Sequence, residues 1–167
     1  MKSDLLPYHD TKDQGAADFY FAINATFRFI HDRLGADGWV RYLRGLAAGY
    51  FTVVNTAWRE GGLPAVAGYW RAFFQAEPGA SVEVREEEGR VVLDVRKCPA
   101  IHHLRVHGRE IVPFYCQHCY HLGQARAEAA GMSMRLEGGN GECRHVYFAE
   151  PPAAPQDMNL IRTASSC

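Results

Sequence analysis

The chain has 167 residues, of which 47% are hydrophobic and 22% charged, and its formal net charge is −1. That length is enough to bury one core of ordinary size. The near-neutral charge argues against nucleic acid or an anionic membrane as a partner, and no apolar run approaches the ~18 residues of a membrane span.

Residues 1–15 are polar and aperiodic and read as an N-terminal arm. The stretch from Met1 to Asp10 has no apolar signal core, which points to the cytoplasm, where cysteines stay as thiols. From Ala16 to Leu34, Phe19, Ile23, Phe27 and Ile30 recur at steps of three or four, the spacing of a helix face. Gly35 stops that helix. Asp37 is a candidate N-cap for a second, Trp39 to Arg59, which Gly61-Gly62 ends. Leu63-Pro64 opens a third, running to about Ala76 with the proline in its first turn.

After Pro78-Gly79 the pattern turns to strands. Ser81–Glu86 and Arg90–Arg96 are rich in β-branched residues and form a hairpin around an acidic turn. Residues 99–107 read as a short helix. Another starts at Val112 or Pro113, carries Cys116 and Cys119, and ends at Gly131. Met132–Glu137 and Glu142–Phe148 form a second hairpin around Gly138-Gly-Asn-Gly141. That turn joins two strands and has no Gly-Lys-Ser/Thr ending, so it is not a phosphate loop. The outline is α+β: N-terminal helices packed with an antiparallel sheet of about four strands, in one domain over residues 16–150. Residues 151–167 read as a flexible tail.

Cys116-Gln-His-Cys119 presents two thiols from one turn of backbone. Cys98 and Cys143 flank the pair, and six of the eight histidines lie between residues 102 and 145. Together Cys98, Cys116, Cys119 and Cys143 make a candidate set of four metal ligands. The positive end of the helix carrying the pair favours thiolates. A thiolate-rich set selects zinc, with iron as the alternative. The competing reading is four separate buried thiols. Tyr120 follows the pair where haem attachment requires histidine, and no strand–helix pattern of a thioredoxin precedes it.

Four thiolates close a site and make it structural, whereas three leave a position at which water is activated. For that case His102, His103, His118 and His121 are the candidate proton carriers. His145, two residues after Cys143, shares its strand face. Among the remaining polar residues, Asn24 reads as a buried hydrogen-bonding residue to a neighbouring loop. Arg28 and Arg71 are candidate carboxylate clamps that more commonly snorkel to water. The helical aromatics read mainly as core, with a minority able to line a ligand cavity.

Cys98-Pro99 after a strand, the helix with Cys119 and Gly123, and Gly138-Gly-Asn-Gly-Glu-Cys143-Arg-His-Val-Tyr-Phe148 resemble the 4-vinyl-reductase domain superfamily. The segments Phe19–His31 and Gly45–Phe51 resemble the L-2-amino-thiazoline-4-carboxylic acid hydrolase family. The two likenesses together span residues 16–149. The first implies a small α+β domain with a cysteine-rich zinc site beside a small-molecule pocket, with Cys98 and Cys119 among the ligands. The second implies opening of a thiazoline ring by water.

Two functions are therefore expected. The first is a metal-containing hydrolase acting on a small-molecule C–N bond, as in ring opening of a 2-aminothiazoline carboxylate. The alternative is a non-catalytic small-molecule-binding or sensor domain with a structural zinc site. The expected partners are a small-molecule substrate or ligand and a second copy in a homodimer, with neither nucleic acid nor membrane.

Overall fold

Gly35 and Gly62 both interrupt the helical half of the chain, with φ/ψ of 69°/−177° and 64°/−155° that no helix accommodates. The computed structural model describes residues 17–151 and 154–166, so the expected N-terminal arm lies outside the described residues. Two long bent helices stand where three were expected. Helix α1 (Phe19–Gly49) kinks at Gly35, and α2 (Thr52–Ala76) kinks at Gly62 with Pro64 just beyond. The expected continuous helix from Trp39 to Arg59 is broken at Tyr50–Phe51. There the N–H groups of Tyr50 and Phe51 both donate to Leu46 O, at 2.9 and 3.2 Å. Asn55 Nδ2 donates to Ala47 O at 2.8 Å and satisfies one of the orphan carbonyls at the end of α1. Tyr50, 79% exposed, marks the outside of this bend.

Both hairpins form, as β1 (Ser81–Glu87) with β2 (Arg90–Lys97) and β3 (Ser133–Gly139) with β4 (Glu142–Phe148). Helices α3 (Pro99–Val106) and α4 (Gln117–Ala129) connect them. Pairing of β2 with β4 fuses the hairpins into one sheet of order β1-β2-β4-β3-β5, so the α+β reading holds. The fifth strand, β5 (Ile161–Arg162), runs parallel to β3. It adds one strand to the expected count of about four, and residues 161–162 of the expected tail lie in the sheet. A 3-10 turn at Met158–Leu160 leads into β5, Ile161 and Ala164 are buried, and Ala164 N donates to Pro113 O at 2.9 Å. Ahead of β5, side-chain amides occupy the outer edge of β3. Met134 N donates to Gln124 Oε1 at 2.7 Å, and Gln156 both accepts from Leu136 N and donates to Leu136 O, at 3.2 and 3.1 Å. An otherwise open strand edge is thereby occupied.

Strand alternation sorts the sheet into two faces. Val91–Tyr147–Met134, Leu93–His145–Leu136 and Val95–Cys143–Gly138 form cross-strand rows on the buried face. Helix α4 packs on β3 and α2 on β1. Trp39, Leu43, Trp58 and Val66 from the helices join these rows in the core; full burial of each large side chain contributes about 1.5–3 kcal/mol. The other face is charged. Asp94 receives Arg85 at 2.5 Å and Arg144 at 2.6 Å. No helix among the described residues is long and apolar enough to cross a membrane.

Candidate metal centre

The fused sheet brings the four cysteines to one end of the molecule. Cys98 leaves β2 and caps α3, with Pro99 starting the helix, and its N–H donates to Gly141 O at 2.8 Å. Cys116 caps α4 and Cys119 occupies its first turn. Cys143 lies on β4 opposite both Val95 of β2 and Gly138 of β3. The tight turn between β3 and β4 leans over Cys116. Asn140 N donates to Cys116 Sγ at 3.2 Å. A Cβ on Gly139, whose φ is 136°, would stand 3.3 Å from Cys116 Cβ and 2.6 Å from Arg162 O. Only glycine fits there.

Burial raises the pKa of all four thiols, that of Cys98 to about 11. Their proximity adds to the effect. Cys119 is raised further by Cys143, Cys98 and Cys116, Cys143 by Cys98 and Cys116, and Cys98 by Cys116, so every pair is within electrostatic reach. Arg105 and Arg162 act in the opposite sense: Arg105 favours the thiolates of Cys98 and Cys116, and Arg162 those of Cys116 and Cys143. The backbone thus gathers the four thiols, while among the described residues no three Cys, His, Asp or Glu side chains stand as a ready-made ligand set.

The four candidate histidines separate into two groups. His118 lies with the thiols. Its Nδ1 faces Tyr115 O in a short hydrogen bond, its Nε2 is 3.6 Å from Cys119 Sγ, and desolvation lowers its pKa to about 4. It is a neutral imidazole at physiological pH, with the Nδ1–H tautomer assigned by its carbonyl partner. His102 borders a cleft of about 270 Å³ that opens on Cys98 and is lined also by Arg96, Lys97, Arg105 and Arg162. His103 and His121 pack elsewhere, and among the described residues none of their side-chain hydrogen bonds, ion pairs or ring contacts is with a cysteine. His103 lies against Phe21 and His107, with Nε2 3.4 Å from Asp18, and His121 meets Trp39 edge-on. His145 joins the thiols in their place. It is buried, its Nε2 is 3.3 Å from Cys143 Sγ, and desolvation lowers its pKa to about 4. Its position two residues after Cys143 on a strand was the signal for it.

Arg126 was not singled out by the sequence. It lies seven residues after Cys119 and three after Gly123, on the same stripe of α4, and it is 2% exposed. A long helical arginine ordinarily reaches water, and this one turns inward. No protein-family model matches the chain, and neither a curated protein nor a solved structure is significantly similar to it.

Proposed function

We propose that this protein is a small-molecule-binding domain whose helices and sheet are fastened together by one zinc ion, with iron as the alternative. Cys98, Cys116, Cys119 and Cys143 would hold it. The observation that supports the proposal is that four thiols from three elements, α3, α4 and β4, lie within electrostatic reach of one another and of Arg105 and Arg162. The donor set fits the ion in kind: four sulfurs complete a tetrahedral thiolate shell with no position left for water. Such a site stabilises the fold directly, because the unfolded chain holds no preformed shell. The reading includes a reducing cytoplasmic address and a homodimer. It agrees with the resemblance to the 4-vinyl-reductase domain superfamily.

A second reading, a hydrolase of a small C–N ring, draws on the cleft beside Cys98. Arg96 and Lys97 offer positive charge to a substrate carboxylate there, and His102 stands at the same cleft to move a proton. His118, neutral and next to Cys119, is the inner proton acceptor. When bound through fewer than four thiolates, the metal would supply polarisation of the substrate or of water.

One set of measurements separates the readings. Metal analysis of the purified full chain is expected to give about one equivalent of zinc or iron, and a folded metal-free protein overturns both readings. Cys119→Ser should lose metal and thermal stability together. Incubation with 2-amino-thiazoline-4-carboxylate, monitored for ring opening, decides the rest. No turnover by metal-bearing protein supports the binding domain. Turnover abolished in both His102→Ala and His118→Ala, with metal retained, establishes the hydrolase instead.

A further inference from the structure

The guanidinium of Arg126 sits inside a cage of aromatic rings. Its central carbon is 4.1 Å from the Trp58 ring centroid, 4.4 Å from Phe51, 4.8 Å from Tyr69 and 5.7 Å from Trp70. Trp58 and Trp70 also pack on Tyr147 of β4, at 5.5 and 6.3 Å between centroids. Ring faces attract the cation but accept none of its hydrogen bonds in the plane of the fork. Nε and Nη2 are buried without a partner, and among the described residues Arg126 makes no ion pair. The same cluster holds the indole Nε1 of Trp58, also unpartnered; Trp70 Nε1 faces Tyr147 Oη, the two close enough to interact but short of a well-formed hydrogen bond. A charge buried this way is strongly destabilising unless something pairs with it.

We propose that Arg126 and its cage bind a small planar carboxylate. What the site lacks defines the occupant. Its unmet groups are chiefly N–H donors on a cation and on indole rings, so the missing partner is an acceptor that carries negative charge. The planar fork of arginine matches a carboxylate bidentately. The walls are flat and apolar, so the body of the ligand is a ring able to stack on indole. Phe51 and Tyr69 form the only half-buried wall among those touching the guanidinium at under 5 Å. Phe51 lies at the joint between α1 and α2, where the backbone is already bent, so its half-buried ring is the side of the cage through which the proposed ligand would enter. For the occupant's being a small molecule the proposal rests on the binding reading above; for its chemistry it rests on these residues alone.

The test uses the full chain with its metal content measured first, and benzoate and indole-3-carboxylate as probes, with benzamide as the neutral counterpart of benzoate. Both carboxylates are expected to raise the Tm in proportion to the logarithm of their concentration and to change tryptophan emission, while benzamide does neither. Arg126→Gln should weaken binding by roughly 10- to 100-fold and still unfold cooperatively. Should that variant fail to fold, Trp58→Phe keeps an aromatic wall, removes the N–H donor and must also weaken binding. The proposal is overturned if neither carboxylate binds, if benzamide binds as well as benzoate, or if both variants bind like the parent. Metal-free protein that binds benzoate removes the thiolate reading alone. Metal-bearing protein that ignores both carboxylates removes this one alone.

Discussion

Asn24 joins α1 to the segment that leads into Cys116, and its removal has a cost that follows from its partners. The residue is 6% exposed, donates to Glu110 O at 2.8 Å and accepts from Val112 N at 3.1 Å. The two bonds are not equivalent. Val112 is 3% exposed, so in Asn24→Ala its N–H is left without a partner and without water. Glu110 O keeps a second donor, Arg28 Nη2 at 3.2 Å. The expected loss is therefore one orphaned donor plus a small void, about 2 kcal/mol. Urea unfolding would register it as a lower midpoint at unchanged slope, and heating as a Tm lower by roughly 4–8 °C. Arg28→Ala alone should cost little, being exposed on that side. The double variant should cost more than the sum, because only then does Glu110 O lose both donors. A loss below about 0.5 kcal/mol in Asn24→Ala would refute this accounting. Loss of ligand binding with no loss of stability would instead make Asn24 a recognition residue.

Gly139→Ala forces a Cβ to within 2.6 Å of Arg162 O at a φ of 136°; it should destabilise by about 2 kcal/mol or more and lower metal content, both measurable on one preparation, and a neutral result would mean the turn does not brace Cys116. Deleting residues 156–167 removes β5, the buried Ile161 and the Gln156 amide from the edge of β3; a loss of about 3 kcal/mol in urea unfolding is expected, and a full-stability truncate would restore the flexible-tail reading. Arg144, against the opposing effect of burial and with the help of Arg85, holds the Asp94 carboxyl below its ordinary value. A depressed folded pKa contributes stability above the unfolded pKa and loses it as pH falls through the folded one. Asp94→Asn should therefore cost up to about 1 kcal/mol at neutral pH, less in high salt. The gap to the parent should close below about pH 4, and a gap independent of pH would contradict the pairing.

The elements were legible wherever one local signal decided them. Gly35, Gly62 and Pro64 punctuate the helices because φ and a missing N–H act on their own residue. The hairpins follow from alternation and from glycine turns. The bend at Tyr50–Phe51 was not legible, because Leu46, Tyr50, Val54 and Trp58 keep helical spacing straight through it, and the group that stabilises it is the amide of Asn55 folded back on Ala47 O. Strand β5 escaped because a two-residue strand shows no alternation and is held by its partner β3. In the site, strand parity gave His145 beside Cys143. No sequence rule separated His118 from His121 three residues later: both sit in the first half of α4, and one turns to Cys119 while the other meets Trp39. Arg126 had the phase of the buried stripe but the chemistry of the surface, and chemistry was the misleading signal.

The thiols and the aromatic cage lie toward two ends of α4, which packs on β3 of the β3–β4 hairpin. On the helix Cys119, Gly123 and Arg126 follow one another along a stripe about 10 Å long. On the strand Cys143, His145 and Tyr147 share the face turned to it over about 13 Å. Helix and hairpin approach closely at Gly123, where a Cβ would stand 3.3 Å from Tyr147 Oη of β4 and 3.4 Å from the sulfur of Met134 of β3. A glycine there lets the helix lie down on the hairpin, and the depth of that approach sets where the rings of Trp58 and Trp70 meet Tyr147 and where the guanidinium of Arg126 comes to rest. A metal clamping Cys116 and Cys119 to Cys98 and Cys143 would fix the near end of the same helix against the same hairpin. The metal proposed for the thiols therefore has a task even if no substrate touches it. Bound there, it would hold α4 in register against the cost of burying the Arg126 charge at the other end, so that the cage would stand formed before the proposed carboxylate arrives.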